Sequence, residues 1–459
     1  MDNRQQVMEI PLVFSLNPAA EQTVLGTARL TTEDLSLSGQ GLSLNFKLRD
    51  ILKVEAADYQ IQLSLISGEE LKLAQLGFKY EDFVDSLYYW RQEVLLQDML
   101  MQEKFLKPDI NACYELSGPL AAEDFPKSRK GRIRLFETAL VLLPEQADPL
   151  RFPYSLISVQ EEDYSIILET DYQEVLKLSM LGAKRDFLLR ELEAARERLT
   201  AETFFLLEEV IPGTDSALLA QAAKLFKEGQ AVSKQKLDAL HPSLWAQLEN
   251  KILNSPLKEE FLFLKSISQE NHISIGVKKG LMGDLTGVYL WALFPIFSTD
   301  PQKPGNGVIM ETLATTGEKK MATYVFRLLS RNEYPKCSAE VLAKAASDFT
   351  TKFNRCMTAI NFRREPIYLT DAQLKTTAYS KYLYSLAKLP LLRELRSIYL
   401  GRIIHSTFDS WQNSVQDILT FNVSTLDDTQ RWSKEKEADL EEAGAEETWL
   451  EETALEEEG

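Results

Sequence analysis

The sequence predicts an α+β protein in which two antiparallel β-sheets, each closed by a C-terminal helix, precede a mixed α+β domain and a disordered acidic tail. Three observations lead to this prediction. Part of the chain repeats at a constant offset, apolar residues alternate within each repeat before changing to helical spacing, and negative charge is concentrated at the C-terminus. The length of 459 residues suggests roughly three domains.

The internal repeat aligns residues 26–77 with residues 131–182 without a gap, and 16 of these 52 positions are identical. The shared residues include Gly26 with Gly131, Asp58-Tyr59 with Asp163-Tyr164, and Leu76-Gly77 with Leu181-Gly182. Two unrelated amphipathic strands would share the alternation of apolar residues but not these pairs. The duplication therefore predicts two copies of one fold.

Each repeat is expected to begin with strands and to end with a helix. Residues 42–46, 59–65 and 71–73 alternate between apolar and polar, as half-buried antiparallel strands do, and Ser67-Gly68 is a hairpin turn. Helical spacing then follows, at Phe83, Leu87 and Trp90 in the first repeat and at Phe187, Leu188 and Leu192 in the second. The helix is expected to close the sheet and to bury its aromatic side chain there.

The strand pair from Ile51 to Leu63 has the pattern Ile-x-x-Val-Glu-x-x-Asp-Tyr-x-Ile-x-Leu. With six or seven strands and a closing helix that contains a tryptophan, it resembles the pleckstrin-homology-like (PH-like) superfold, which includes GRAM-type and bacterial PH-like domains. The resemblance covers about residues 10–200 and implies two PH-like antiparallel β-barrels, at residues 8–104 and 110–204. PH-like folds bind phosphoinositides, peptides or whole proteins, so the fold alone does not identify a ligand.

Residues 205–425 are expected to form the mixed α+β domain, with a helical C-terminal half. Helical spacing covers residues 205–256, strands are expected at 261–264, 273–275, 288–297, 308–313 and 324–329, and residues 338–422 are expected to be mostly helical. The longest apolar run, Val288 to Phe297, is shorter than the roughly 20 residues of a transmembrane helix and contains Pro295. It is therefore interpreted as a buried strand.

Composition narrows the class of protein. Hydrophobic residues make up 44% and charged residues 26%, which excludes a wholly disordered, collagen-like or polytopic membrane protein. Three widely spaced cysteines, Cys113, Cys337 and Cys356, indicate a reducing compartment, and the N-terminus has no signal-peptide pattern. We expect a cytoplasmic protein, with peripheral attachment to a membrane as the alternative.

Residues for catalysis or metal binding are sparse. His241, His272 and His405 are far apart, and the sequence has no Cys-x-x-Cys, no Gly-x-Ser-x-Gly and no phosphate-binding Walker motif. We therefore expect no enzyme activity, no catalytic residue, no metal and no cofactor. A dyad of Cys337 or Cys356 with His405 is the minor alternative.

A basic cluster near the start of the second repeat consists of Lys127, Arg129, Lys130 and Arg132. A hairpin can offer backbone N–H groups and several cations to one multiply charged phosphate. The resemblance implies the same, because PH domains that hold inositol phosphates carry basic residues here. The equivalent loop of the first repeat, residues 17–22, has no cation. A solvated basic surface is the competing interpretation, since Glu123 and Asp124 are adjacent.

The net charge of −18 argues against attraction of the whole surface to nucleic acid or anionic lipid. However, residues 426–459 carry −11, which leaves −7 on residues 1–425, and the stretch from Lys352 to Arg402 carries +7 with aromatic residues interleaved. Such a stretch can stack on single-stranded nucleic acid. Its tyrosine spacing favours helix faces that pack on a core instead, so nucleic acid is the least favoured partner.

The acidic tail, residues 426–459, is predicted to be disordered because it has few apolar residues and dense like charge. Trp449 and Leu450 are candidate anchors for a partner protein. Solubilisation and shielding of the Lys352 to Arg402 stretch are alternative roles for the tail.

These observations predict a non-enzymatic cytoplasmic scaffold or adaptor that acts through protein–protein contacts of its tandem PH-like domains. One alternative is a peripheral membrane protein whose second PH-like domain binds anionic lipid headgroups. Another is a chaperone for basic proteins that uses the acidic tail, because tandem PH-like modules with such a tail are similar in layout to eukaryotic histone chaperones.

Overall fold

The computed structural model describes residues 7–17, 23–99, 103–106, 108–118, 128–280, 287–300, 303, 305–314, 322–405, 407–424 and 427–432. The chain forms two compact units. The first comprises Met1–Arg198, Ala359–Asn361 and Leu369–Pro390, and the second comprises Leu199–Thr358, Phe362–Tyr368 and Leu391–Gly459. Residues 369–390, which we expected in the α+β domain, thus belong to the first unit.

The first repeat is a seven-stranded antiparallel sheet followed by a helix. Its elements are β1 (Met8–Leu16), β2 (Val24–Leu30), β3 (Asp34–Gly39), β4 (Leu42–Lys47), β5 (Ile51–Ala57), β6 (Gln60–Leu65), β7 (Glu70–Ala74) and α1 (Tyr80–Asp98). The strand order is β4-β3-β2-β1-β7-β6-β5. Alternating strand residues point inwards and form one buried core with Phe83 and Leu87 of α1.

The second repeat has the same order of elements. They are β8 (Ile110–Ser117), β9 (Ser128–Leu135), β10 (Ala139–Pro144), β11 (Leu150–Pro153), β12 (Ile157–Glu162), β13 (Ser165–Thr170), β14 (Val175–Ser179) and α2 (Arg185–Val210). The strand order β11-β10-β9-β8-β14-β13-β12 matches that of the first sheet position by position. The duplication in the sequence is therefore also a duplication in the fold.

Neither sheet is a closed barrel, so the prediction of barrels is wrong in this respect. Strands β4 and β5 are the two edges of the first sheet, and β11 and β12 are the edges of the second. Between β4 and β5 the chain makes a single 3-10 turn, Leu48–Asp50, whose Leu48 is fully buried in the core. Side-chain packing, rather than strand pairing, thus fills the core at this corner. Helix α1 buries the aromatic rings of Tyr80, Phe83 and Tyr88, whereas Trp90 is half-buried.

Two of the glycines shared by the repeats have clear backbone reasons. A Cβ at Gly26 would lie 2.2 Å from the carbonyl oxygen of Ser38 on the neighbouring strand. Gly77 is in the left-handed region with a φ of 61°, where side chains are disfavoured.

The second unit contains a six-stranded antiparallel sheet. Its strands, in spatial as well as chain order, are β15 (Val232–Ser233), β16 (Ser274–Lys279), β17 (Val288–Ile296), β18 (Gly307–Ala314), β19 (Ala322–Arg327) and β20 (Tyr399–Ile404). The remaining helices of the chain are α3 (Ser216–Ala223), α4 (Lys234–Leu240), α5 (Pro242–Leu253), α6 (Lys258–Ile267), α7 (Ala339–Ala359), α8 (Glu365–Tyr368), α9 (Asp371–Leu374), α10 (Lys381–Lys388), α11 (Pro390–Ser397) and α12 (Phe408–Ser424). Of these, α9 and α10 lie in the first unit.

Two predicted elements of the α+β domain need correction. Residues 261–264, expected as a strand, lie in helix α6, where Phe261 and Leu264 are buried one turn apart. A run of four apolar residues fits either element, and the helix wins here because only one side of the run packs on the core. Strand β20 interrupts a region predicted to be helical and extends the sheet beside β19.

No helix among the described residues is long and apolar enough to cross a membrane.

Candidate functional site

Strand β9 places part of the basic cluster on the outer face of the second sheet. Lys130, Arg132 and Arg134 alternate with the buried Gly131 and Ile133, so the three cations share one face. At the exposed start of the strand, Arg129 donates to the Gln146 side chain at 3.1 Å. Lys127 lies outside the described residues.

Carboxylates hold the two later arginines of this face. Arg132 donates to Asp109 at 2.8 Å, and its guanidinium lies 4.8 Å from the centre of the Tyr89 ring. Arg134 donates to Asp109 at 2.7 Å and 2.9 Å and to both carboxylate oxygens of Glu93 at 2.8 Å and 2.9 Å. A phosphate would have to displace these charge-assisted bonds to bind either arginine.

The pKa of Arg134 reflects this environment. Burial alone would lower it, but the hydrogen bonds and charges of Asp109 and Glu93 outweigh burial and raise it. Arg29, the equivalent residue of the first repeat, pairs with Glu9 at 3.6 Å, and both side chains are largely exposed. The equivalent arginine therefore lies on the surface in the first repeat, whereas in the second repeat it connects the sheet to helix α1 of the first.

This connection between the repeats follows from where α1 packs. Leu96 of α1 forms a buried apolar cluster with Phe136, Ala139, Val141 and Leu143 of the second repeat. All six residues of β10 are buried, whereas β3 alternates. The sequences Ala-Leu-Val-Leu-Leu-Pro in β10 and Asp-Leu-Ser-Leu-Ser-Gly in β3 already contain this difference. It is the signal by which the sequence could have identified the junction.

Polar bonds complete this inter-repeat junction. Arg91 is fully buried, donates to the Ile51 carbonyl at 3.0 Å and 2.8 Å, and forms an ion pair with Asp148. Gln92 donates to the carbonyls of Pro144 at 2.5 Å and Ala147 at 2.8 Å. Helix α1 thus binds the turn between β10 and β11 as well as its own sheet.

Two cations compensate the charge of Asp148 in this turn. Burial would raise the pKa of this carboxyl, but Arg91 and Lys388 together hold it below its usual value. Lys388, from helix α10 of the same unit, lies 3.0 Å from the Asp148 carboxylate. The buried negative charge is therefore compensated from two sides.

A cleft of 570 Å³ opens beside this junction. Helix α1, strands β8, β9 and β10, and Met180 line it. Its two cations, Lys130 and Arg132, face two lining carboxylates, Asp85 and Glu145. A cleft with balanced charges has no net positive field to attract a polyphosphate, and it suits a polar ligand or a peptide segment better.

The stretch from Lys352 to Arg402 does not form one basic surface. Lys352 pairs with Glu394 at 2.6 Å, and Arg402 is only 3% exposed and lies 4.4 Å from the centre of the Tyr368 ring. Five interleaved rings are buried, namely Phe362, Tyr368, Tyr382, Tyr384 and Tyr399. Rings packed in cores cannot stack on nucleic acid bases, so this stretch gives no support to that alternative.

A buried polar network in the second unit escaped the sequence analysis. Glu311 is fully buried on β18, and His405 lies 3.1 Å from its carboxylate. Thr323 donates to Glu311 and accepts a bond from the Trp411 indole N–H at 2.7 Å. A glutamate inside the apolar run from Val308 to Leu313 was the available signal.

These contacts do not form the cysteine–histidine dyad. Both described hydrogen-bonding partners of His405, Glu311 and Thr323, are oxygen groups. Cys356 is buried in α7, and burial raises the pKa of its thiol to about 12, so it is not a thiolate at neutral pH. Among the described residues, no cluster of three or more histidine, cysteine or acidic side chains could hold a metal ion.

The start of the predicted disordered tail is packed. Trp432 is 8% exposed and donates its backbone N–H to the Leu400 carbonyl at 2.8 Å, while Asp428 pairs with the buried Arg327 at 3.1 Å. Disorder from residue 426 is therefore wrong for residues 427–432, because Trp432 supplies an apolar anchor that the charge count ignored. Trp449 and Leu450 lie outside the described residues.

No protein-family model matches the chain, and no curated protein matches it. Among solved structures, the heterodimer of Spt16D and Pob3N is similar, with 13% sequence identity over 36% of this chain and 84% of that chain. The TM-score of this match is 0.16.

Proposed function

We propose that this protein is a non-enzymatic cytoplasmic scaffold or adaptor that binds other proteins through its two repeats, and that both repeats are PH-like domains. The strand order supports the second part, since in each repeat the first strand lies between the second and the seventh and a helix follows the last strand. A duplicated binding fold supports the first part.

The observation that carries the proposal is the inter-repeat junction. Leu96, Arg91 and Gln92 of α1 join the two sheets through apolar packing, a buried ion pair and bonds to backbone carbonyls. Two binding modules held at a fixed spacing lose little additional conformational entropy when both bind the same partner. Arg132, one of the four candidate headgroup ligands, and its strand neighbour Arg134 are used within this junction.

The test is to cross-link the tagged full-length chain in cells, identify the partner, and reconstitute the complex from purified proteins. Arg134→Glu should break the junction and weaken the complex by about tenfold, with the fold checked by circular dichroism. Arg29→Glu is the matched control, because it changes the equivalent residue of the first repeat, which has only an exposed pair. Failure to obtain any stoichiometric complex, together with binding to anionic vesicles that depends on Lys130, would favour the headgroup alternative instead.

A further inference from the structure

Two exposed tyrosines occupy equivalent positions in the repeats. Tyr59 follows Asp58 in the turn between β5 and β6, and Tyr164 follows Asp163 in the turn between β12 and β13. Tyr59 is 73% exposed and Tyr164 is 87% exposed. Both copies therefore present the same aromatic side chain to solvent.

Other identities between the repeats are buried or required by a turn, whereas both tyrosines are largely exposed; Tyr59 touches its own repeat through the edge of Tyr80, with the ring centres 5.4 Å apart. The shared leucines Leu63 and Leu168 are fully buried, and Asp58 and Asp163 have φ values of 51° and 46°, which aspartate tolerates. Tyr59 itself has a φ of 58°, where glycine or asparagine would be more stable. A bulky, exposed residue that weakens its own turn indicates a function outside the fold.

A second large apolar side chain lies at the same end of each sheet. In the first repeat, Gln60 pairs with Ala74, so the tyrosine turn is adjacent to the connection that carries Phe78, which is 92% exposed. In the second, Ile166 pairs with Leu178, which brings the turn to the connection that carries Met180, 81% exposed. We call these pairs the first tip (Tyr59 and Phe78) and the second tip (Tyr164 and Met180).

Acidic residues surround both tips. Around the first tip, the exposed acids are Asp58, Glu81 and Asp82, against the single cation Lys79. Around the second, Lys177 pairs with Glu162 at 2.7 Å and Arg185 pairs with Glu161 at 2.6 Å, so these cations are neutralised locally. Asp186 also pairs with Arg185 at 3.1 Å, exposed Asp163 adds negative charge and exposed Lys184 adds positive charge, so four acids stand against three cations at this tip. An acidic rim disfavours an anionic membrane and favours a basic protein surface.

We propose that the two tips are equivalent docking surfaces for a basic, amphipathic segment of a partner protein. Its apolar face packs on the exposed rings and the methionine, and its lysines or arginines meet the acidic rim. This inference rests on the proposed function and names the class of partner. Because the tips occur twice, one chain binds two such segments.

The probe is a fluorescent helical peptide of about 14 leucine and lysine residues with amphipathic spacing, titrated against the full chain. A second peptide with glutamate in place of lysine reports charge preference. The variants are Tyr59→Asn, Tyr164→Asn and their double. Asparagine suits the left-handed turn residue at position 59, which offsets the loss of the Tyr59 contact with the Tyr80 ring, and the melting temperature of each variant is measured beside its binding. Phe205→Asn is the control, since Phe205 is a 63% exposed aromatic residue of α2 that belongs to neither tip.

We expect two basic peptides to bind each original chain, one to bind each single variant, and the double variant to bind about tenfold more weakly. The acidic tail is present in every variant, so its own attraction for the peptide cancels. Any of three results would overturn the inference: no binding to the original chain, equal binding by the double variant, or equal binding of the glutamate peptide. Anionic vesicles bound by the original chain but not by the double variant would reassign the tips to a membrane. The scaffold function is tested separately by its own reconstituted complex. A negative peptide result would therefore contradict the docking role of the tips without contradicting the scaffold function.

Discussion

Arg91 of the first repeat forms an ion pair with Asp148 of the second, and the arginine side chain is only 1% exposed. The guanidinium also donates to the carbonyls of Ile51 and Leu52. A buried cation is tolerated only when it is paired and its donors find acceptors. This arrangement makes the inter-repeat junction sensitive to the loss of a single side chain.

The first prediction is that Arg91→Ala lowers the free energy of unfolding by about 3 kcal/mol, since it removes the bonds to Ile51 and Leu52 and one of the two cations beside Asp148. Urea denaturation followed by circular dichroism measures the change. Arg29→Ala is the control and should change stability by less than about 0.5 kcal/mol, because its pair with Glu9 is exposed. Equal effects of the two substitutions would contradict the prediction.

The sequence predicts the repeats well because their information is local. Alternation with period two, the Ser67-Gly68 turn and the later helical spacing each depend on neighbouring residues only, and they correctly place the strands and closing helices. The prediction of a strand at residues 261–264 is wrong because a run of four apolar residues fits both the strand period and the helix period. The sequence does not predict strand β20 because its partner β19 is about 70 residues earlier in the chain. Pairing over that distance leaves no local sequence pattern.

The difference between local and long-range information also explains which features of the candidate site the sequence predicts. That Lys130, Arg132 and Arg134 share one face follows from strand geometry. Strand geometry does not predict that Asp109 and Glu93 neutralise the two arginines. The resemblance to a phosphate-binding loop indicates where the cations lie, but it does not indicate which residues pair with them. Comparison of β10 with β3 could have shown that this face is covered, since only β10 is apolar on both faces.

The second prediction concerns Asp98, at the end of α1. This side chain is 3% exposed, lies 3.6 Å from Arg49, and its Oδ2 has no hydrogen-bond partner among the described residues. Burial raises the pKa of Asp98 to about 6, although Arg49 and Lys381 oppose the shift. An acid with a raised folded-state pKa favours the protonated form, so stability falls as pH rises from the unfolded value of 3.8 through about 6.

Asp98→Asn should therefore stabilise the protein by about 1–2 kcal/mol at about pH 7.5, and the gain should nearly disappear at about pH 4. Urea unfolding at the two pH values measures both effects. A variant that is less stable at the higher pH would show that the pair with Arg49 outweighs the burial of the carboxylate.

The third prediction is a pH dependence from His405. Burial lowers the pKa of this imidazole, but Glu311, and to a smaller degree Glu260, outweigh burial, so that the pKa is raised above 6.5. A base with a raised folded-state pKa contributes stability that is fully present below pH 6.5 and is lost as pH rises through the folded pKa. His272 provides an internal comparison, because burial lowers its pKa.

NMR titration of the labelled histidines should give a higher pKa for His405 than for His272, and Glu311→Gln should lower the His405 value. The stability lost by Glu311→Gln should be larger at about pH 6 than at about pH 9. A His405 pKa at or below that of His272 would mean that the Glu311 contact does not persist in solution.

The last prediction tests where the packed body of the chain ends. A chain that stops after residue 432 keeps Trp432 against Leu400 and Asp428 against Arg327. It should match the full chain in stability within about 0.5 kcal/mol, because 12 of the 27 residues removed are acidic and few are apolar. A chain that stops after residue 426 loses both contacts and leaves Arg327, which is 3% exposed, without its carboxylate. It should be less stable by about 3 kcal/mol.

Trp432→Ala in the full chain should reproduce much of this loss, since the indole belongs to the core of the second unit. Equal stability of the two shortened chains would show that residues 427–432 contribute nothing to the fold.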